Sequence, residues 1–366
     1  MRDRLAEVVD EGVQPVDRAL DRIRLAAALM SARERTTTDE LRRTVRELRS
    51  GLNDLTLTAD DPAAIRFATP FLDGELDQIL SAQTLDRARY YLDRLLRALD
   101  GVRTSRLNDI DLNRWKEYSD ILTDSLWLID RRDTSGVHTA GYWGNFVPQI
   151  PHQMMRRYTR PGEWVLDPFA GLGTTLIEGQ RLGRNTLGVE LQPEVVAQAR
   201  ALVDAEPAHA DVRTELVCGD STSADFGALL RARGATSVQL ALLHPPYHDI
   251  IRFSDDARDL SNAATTEAFV AQIGQVAASV ARVLDRGRYL ALVIGDKYVR
   301  GDLIPLGFLT MNAVMQQGFT LKSIIVKNFD RTAGKRTRQE LWRYRALAGG
   351  FYIFKHEYIF LFRRAA

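Results

Sequence analysis

The chain has 366 residues, 45% of them hydrophobic and 27% charged, with a formal net charge of +1. That balance belongs to a globular protein of one large domain or two medium ones and excludes an intrinsically disordered chain. No stretch approaches the ~18–20 uninterrupted apolar residues of a membrane helix, and the N-terminus lacks an apolar signal region, so a cytoplasmic protein without membrane contact is expected.

Residues 1–135 read as helical. Over 18–33, Leu20, Ile23, Ala27 and Met30 recur at helical spacing. Over 38–51, Thr37 or Thr38 followed by Glu40 forms a capping box, and Gly51 is a stop signal. Residues 82–101 repeat the pattern through Leu85, Tyr91, Leu92, Leu95 and Leu99, and 113–129 reads as a fourth long helix. The expectation is an all-α N-terminal domain over 1–135 and an α/β domain over 136–366. Residues 131–150 change character, being rich in glycine, proline and aromatics. They read as an ordered connector rather than a flexible linker.

From Trp164 onward strand and helix alternate. Strands are predicted at 164–166, 186–189, 214–218, 238–243, 289–295, 319–326 and within 351–363, with helices at 174–182, 193–204, 266–284 and 303–317. Such alternation means a mostly parallel sheet with helices on both faces. The only cysteine, Cys218, can form neither an internal disulfide nor a cysteine-based zinc site, so no metal is expected.

Two constellations carry chemistry. The first, Val165-Leu-Asp-Pro-Phe-Ala-Gly-Leu-Gly-Thr-Thr175, closes the first predicted strand and opens a helix. Gly171 and Gly173 let the backbone turn sharply and approach a ligand. No Gly-Lys-Ser/Thr follows, so this is not a phosphate loop. Glu190 ends the second strand, 17 residues past Gly173, where a carboxylate can accept both hydroxyls of a ribose. Asp220 follows the third strand at the same sheet edge. The second constellation, His244-Pro245-Pro246-Tyr247, follows the fourth strand. Two prolines fix a rigid extended turn. It can present an imidazole, a backbone carbonyl and an aromatic face to a planar base and its exocyclic amine.

Together these motifs resemble those of the S-adenosylmethionine-dependent amino-methyltransferases of DNA, which modify adenine N6 or cytosine N4, some within restriction–modification systems. The resemblance covers about 137–366 and implies a Rossmann-like, seven-stranded, mostly parallel sheet. It further implies that Phe146 and Pro148 flank the methionine part of the cofactor, and that Asp167, Phe169, Gly171, Gly173 and Thr174 form the cofactor loop. Glu190 would bind the ribose, Asp220 the adenine amine, and His244, Pro245, Pro246 and Tyr247 the target base. The first position of the catalytic motif is normally Asp, Asn or Ser, so His244 is a departure. By the family's base rate adenine N6 stands ahead of cytosine N4. The alternatives are an RNA base amino-methyltransferase and a catalytically degenerate cofactor-binding subunit.

Charge is uneven along the chain. Residues 1–135 carry 22 Lys/Arg against 26 Asp/Glu, and residues 327–366 carry 10 against 3. The segment with Lys327, Arg331, Lys335, Arg336, Arg338, Arg343 and Arg345 reads as a loop over a nucleic-acid backbone. DNA is the expected partner and RNA the runner-up. A second copy of the chain or the subunits of a defence system are the protein partners considered.

Overall fold

The computed structural model describes residues 17–139, 141, 144–207, 211–328 and 339–365. The chain forms two compact units, Met1–Ser105 with Ile110–Asp120 and Arg106–Asp109 with Ile121–Ala366. Residues 121–135 therefore go with the second unit, where the sequence pattern had grouped them with the first.

The first unit is not all-α. Strand β1 (Asp17–Asp21) pairs antiparallel with β2 (Ala64–Ala68). Helix α1 (Arg22–Arg33) starts only after Asp21, whose side chain accepts the N–H groups of Ile23 and Arg24 at 3.0 Å. Leu25, Leu29 and Ala32 are buried, whereas Ile23 and Met30, expected inside, are exposed. Helices α2 (Thr38–Ser50), α3 (Thr69–Ser81) and α4 (Leu85–Asp100) complete the unit. The Thr37–Glu40 capping box is formed as expected. Leu41, Val45, Phe67, Leu76, Leu92 and Leu95 share its core.

The helix expected over 113–129 is absent. A short 3-10 turn covers Trp115–Glu117, and Leu126–Trp127 forms strand β3. The run Tyr118-Ser-Asp-Ile-Leu-Thr-Asp-Ser125 supplies side chains that bond locally to backbone and favour turns.

The second unit carries an eight-stranded sheet. Its strands are β3, β4 (Trp164–Asp167), β5 (Asn185–Glu190), β6 (Thr214–Cys218), β7 (Val238–Leu243), β8 (Leu284–Ile294), and, after a β9–β10 hairpin (Lys297–Val299, Asp302–Ile304), β11 (Phe319–Asn328) and β12 (His356–Arg364). The order is β3-β11-β12-β8-β7-β4-β5-β6. Only β12 runs antiparallel to its neighbours. The seven expected strands are present, and β3 adds an eighth, parallel to β11 at the edge.

Helices α5 (Gln149–Tyr158), α6 (Thr174–Leu182), α7 (Pro193–Ala205), α8 (Phe226–Arg231), α9 (Thr266–Val283), α10 (Leu306–Met315) and α11 (Gln339–Gly349) belong to this unit. Leu240–Leu243 of β7 and Leu290–Ile294 of β8 are apolar without interruption because both faces are covered there. Ala241, Leu243, Leu290, Leu292, Phe360 and Phe362 pack with Phe269, Ile273 and Val276 of α9. The intervening Leu240, Leu242, Ala291, Val293, Ile359 and Leu361 pack with Ile150 and Met154 of α5. Successive strands move outward from β4 in one direction and from β7 in the other. The carboxyl ends of these two neighbours therefore form a topological switch point, where open α/β sheets bind ligands. Among the described residues no helix is long and apolar enough to cross a membrane.

Candidate functional site

The two motifs lie side by side at that switch point, because β4 and β7 are paired. After β4 the chain turns through Gly171 (φ +49) and Gly173 (φ +81), a backbone that favours glycine. Gly173 caps α6, and a Cβ there would come within 3.2 Å of Val203. Asp167 is buried. Its Oδ1 accepts the Phe169 N–H at 2.9 Å, and its Oδ2 makes no well-formed hydrogen bond, with the Thr175 hydroxyl beside the carboxyl. Burial pushes this carboxyl up to about 6. Glu190 closes the loop: Oε2 accepts the Gly171 N–H at 3.0 Å and Oε1 the Gln192 N–H at 2.9 Å. Each oxygen keeps a lone pair, and burial raises the carboxyl above its ordinary range. Asp220 folds back on its own turn, accepting the Thr222 N–H at 2.8 Å and the Thr222 hydroxyl at 2.7 Å.

After β7, His244 stacks obliquely on Phe146, with centroids 4.8 Å apart, and meets Tyr247 edge-on at 5.7 Å. Burial pushes its imidazole down to about 4, so the ring is neutral near pH 7. Nε2 lies 3.3 Å from the Tyr247 hydroxyl, which donates to Glu357 Oε2 at 2.6 Å. Lys327 faces Glu357 across the β11–β12 pair and bonds to it at 3.0 Å. Gly295, just past β8, leaves room for the Tyr247 ring, since a Cβ would sit 3.1 Å from its edge.

The next residue, His248, is held at φ +52. Its Nε2 donates to the Ala263 carbonyl at 2.9 Å, and Nδ1 accepts from the buried Lys297 at 2.6 Å. Lys297 also bonds Asp249 at 2.6 Å. This latch positions residues 248–263, from which Ile250, Phe253, Arg258 and Asp259 reach the cavity wall.

Arg132 donates to the carbonyls of Thr139, Asn145 and Phe146 at 2.8–3.1 Å. Below it, Glu178 of α6 takes His138 at 2.7 Å and His152 at 2.8 Å. These bonds outweigh the effect of burial and hold its carboxyl near 2. The possible ligand atoms of Asp133, His138 and Glu178 lie within 4.8 Å of one another. Arg181, at 3.4 Å from Glu178 and 3.9 Å from Asp133, already supplies positive charge there.

One cavity of about 980 Å³ joins the two motifs. Phe146, Phe169, Gly171, Glu190, Asp220 and the turn His244–Tyr247 all line it. Asp167, Gly173 and Thr174 support the loop from behind. Thr174 donates to Asn145 at 2.6 Å. Pro148 is not in the wall; it is buried at the start of α5.

Lys327 is displaced from its expected place. It is a buried member of the cavity wall, ion-paired with Glu357, not a solvated basic contact. It ends a strand whose neighbours bury it. Arg343 and Arg345 are exposed on α11, with Arg345 over the Trp342 ring. Arg331, Lys335, Arg336 and Arg338 lie outside the described residues. Arg132, Lys297 and Glu357 were not singled out by sequence pattern, because each works through partners remote in the chain.

The DNA methylase family model, covering N6 and N4 methyltransferases, matches residues 96–201. Over this segment, less than a third of its length, the chain is similar to the DNA methylase family. The matched segment holds Phe146, the glycine loop and Glu190, and ends before His244. The chain is 36% identical over 67 residues to the Type II methyltransferase M.MjaII of Methanocaldococcus jannaschii, covering 18% of this chain and 13% of that one. It is 34% identical over 79 residues to M.MthZI of Methanothermobacter thermautotrophicus, covering 22% and 21%. It is 33% identical over 100 residues to M2.DpnII of Streptococcus pneumoniae, covering 26% and 34%. The chain thus spans about a third or less of the length of these relatives.

Proposed function

We propose that this chain transfers a methyl group from S-adenosylmethionine to the exocyclic amine of a DNA base, with adenine N6 placed ahead of cytosine N4, in the cytoplasm. The observation that carries the reading is the single cavity shared by the glycine loop and the His244–Tyr247 turn.

The cofactor is S-adenosylmethionine, and the residues present fit it. A buried carboxylate oxygen with no well-formed hydrogen bond, Asp167 Oδ2 beside the Thr175 hydroxyl, suits an ammonium group. Glu190 keeps acceptor capacity for ribose hydroxyls at the end of β5, and Phe169 and Phe146 offer apolar walls. When bound, the cofactor supplies an electrophilic methyl on a sulfonium. An exocyclic amine conjugated with its ring is a poor nucleophile. The neutral His244 has one acceptor nitrogen and the Pro245 carbonyl another lone-pair site. Hydrogen bonds from the amine to both would favour a pyramidal nitrogen with its lone pair available. No nucleophilic side chain is required, so positioning supplies much of the rate. A base buried in a duplex cannot enter such a cavity, so the target nucleotide must flip out. Arg343 and Arg345 on α11 are the described basic residues we assign to the DNA backbone.

Transfer of tritium from methyl-labelled cofactor to DNA, to RNA, or to neither tests this reading. Label in DNA supports it. Label in RNA alone moves the substrate to RNA, and label in neither favours a cofactor-binding subunit without catalysis.

A further inference from the structure

Four buried or half-buried polar side chains form an unbroken line behind the His244 turn. Lys327 Nζ reaches Glu357 Oε1 at 3.0 Å, the Tyr247 hydroxyl reaches Glu357 Oε2 at 2.6 Å, and His244 Nε2 lies 3.3 Å from that hydroxyl. Three strands contribute: Lys327 lies on β11, Glu357 directly opposite on β12, and the turn follows β7.

The direction of each bond follows from donor counts. An ammonium only donates, and a carboxylate only accepts. The single tyrosine proton is therefore committed to Glu357, which leaves the phenol oxygen as an acceptor. Burial beside Glu357 also holds Tyr247 well above its ordinary value, so that proton stays in place. An imidazole nitrogen facing an acceptor must carry the hydrogen. A neutral ring has only one N–H, so the other nitrogen is the lone-pair site. Among the described residues Nδ1 has no hydrogen-bond partner.

We propose that Glu357, held by Lys327, is a positioning residue that fixes His244 in its Nε2–H tautomer through the Tyr247 hydroxyl, leaving Nδ1 as the acceptor for the target amine. The role of the amine rests on the methyltransferase reading; the tautomer does not. The arrangement explains how an imidazole stands in for the usual acid, amide or hydroxyl. A neutral histidine works as an amine acceptor only if the correct nitrogen is unprotonated, and two residues from the far strands of the sheet select it.

Replacing the carboxylate by an amide reverses the line. In Glu357→Gln, Lys327 must donate to the amide oxygen, which leaves the NH2 group facing Tyr247. The tyrosine proton then turns to His244, and the ring has to present a lone pair at Nε2 and carry its hydrogen on Nδ1. Histidine-selective 15N labelling of the full-length chain reads this directly, with His244 assigned from the signals that disappear in His244→Asn. The expected result is an Nε2–H ring in the parent and an Nδ1–H ring in Glu357→Gln. Tyr247→Phe, which removes the acceptor without altering the ion pair, should erase the hydrogen-bonded Nε2 shift. An Nδ1–H ring in the parent, or one tautomer unchanged through all three proteins, would overturn the proposal. In turnover, Glu357→Gln should lower kcat about ten- to hundredfold, with KM for DNA and cofactor within about twofold. The tautomer change without methyl transfer to any nucleic acid would leave the relay standing and remove the methyltransferase reading. Methyl transfer at the parental kcat in Glu357→Gln would keep the methyltransferase reading and overturn the role of Nδ1 as the amine acceptor.

Discussion

The loop after β4 and the turn after β7 leave neighbouring parallel strands and meet in one cavity, yet they are held by different means. The loop is held by backbone. Asp167 takes the amide of Phe169, and Glu190 takes those of Gly171 and Gln192. Every partner lies within one βαβ stretch, and one buried oxygen is left over. The turn is held by side chains from far away in sequence. Tyr247 reaches Glu357 across 110 positions and Lys297 reaches His248 across 49. The loop is thus a prefabricated cradle with an open acceptor. The turn is a part whose chemistry is set by the rest of the sheet.

If that contrast is right, damage on one side should not cross to the other. The largest effect is expected for Asp167→Ala. Losing a buried carboxylate that meets a cation should cost cofactor binding about 2–5 kcal/mol. Calorimetry with S-adenosylhomocysteine measures it, and an affinity within a factor of three of the parent would remove the ammonium role.

Two buried carboxylates on either side of the α6 N-terminus sharpen the comparison, because their pH linkages have opposite signs. Asp167 is raised to about 6. Its burial therefore costs stability as pH rises from the ordinary carboxylate range through 6. Asp167→Asn should stabilise the cofactor-free protein at pH 8 by about 1–3 kcal/mol and make little difference near pH 4. Glu178 is depressed to about 2. It stabilises above the ordinary carboxylate range, and that contribution is lost as pH falls toward 2. Glu178→Gln should destabilise at pH 7 by about 2–3 kcal/mol. Denaturant titrations across pH check both, and a common sign for the two variants would contradict the assignment. In the same way, cofactor affinity should weaken as pH drops below about 6 in the parent, and this dependence should vanish in Asp167→Asn.

A smaller effect is expected on the base side from His244→Asn, which restores a usual family residue and keeps one acceptor. Turnover should stay within about tenfold of the parent; inactivity with cofactor affinity intact would show that the imidazole itself is needed. The smallest effect belongs to Arg343 and Arg345. Neutralising both should flatten the log–log salt dependence of DNA binding by about 0.9 for each phosphate no longer neutralised, and an unchanged slope would move the footprint elsewhere.

The contrast also explains what was legible in the sequence. The loop's glycines, Asp167 and Glu190 are readable because they follow one another at fixed spacing along a single strand–helix–strand stretch. The seven main strands were readable from their apolar runs, since a stretch such as Leu240–Leu243 reflects burial on both faces. Strand β3 was not, because two residues carry no periodicity. Strand β1 was missed because its five residues show no alternation and Leu20 falls on the helical spacing read over 18–33. Lys327 looked like the start of a basic loop; only the cross-strand register with Glu357 reveals it as buried. Arg132, which ties three carbonyls of the connector together, has no signature at all, since its partners are backbone atoms.

The central claim is that the turn after β7 acts on the amine and not on the cofactor. It is tested most directly in His244→Ala, by measuring cofactor affinity and single-turnover methyl transfer to DNA on the same preparation. The account predicts affinity within about twofold of the parent and transfer slowed about a hundredfold or more, in line with the loss of one preorganised group at a reacting centre. Parental transfer, or a loss of cofactor binding large enough to explain the slower rate, would contradict it.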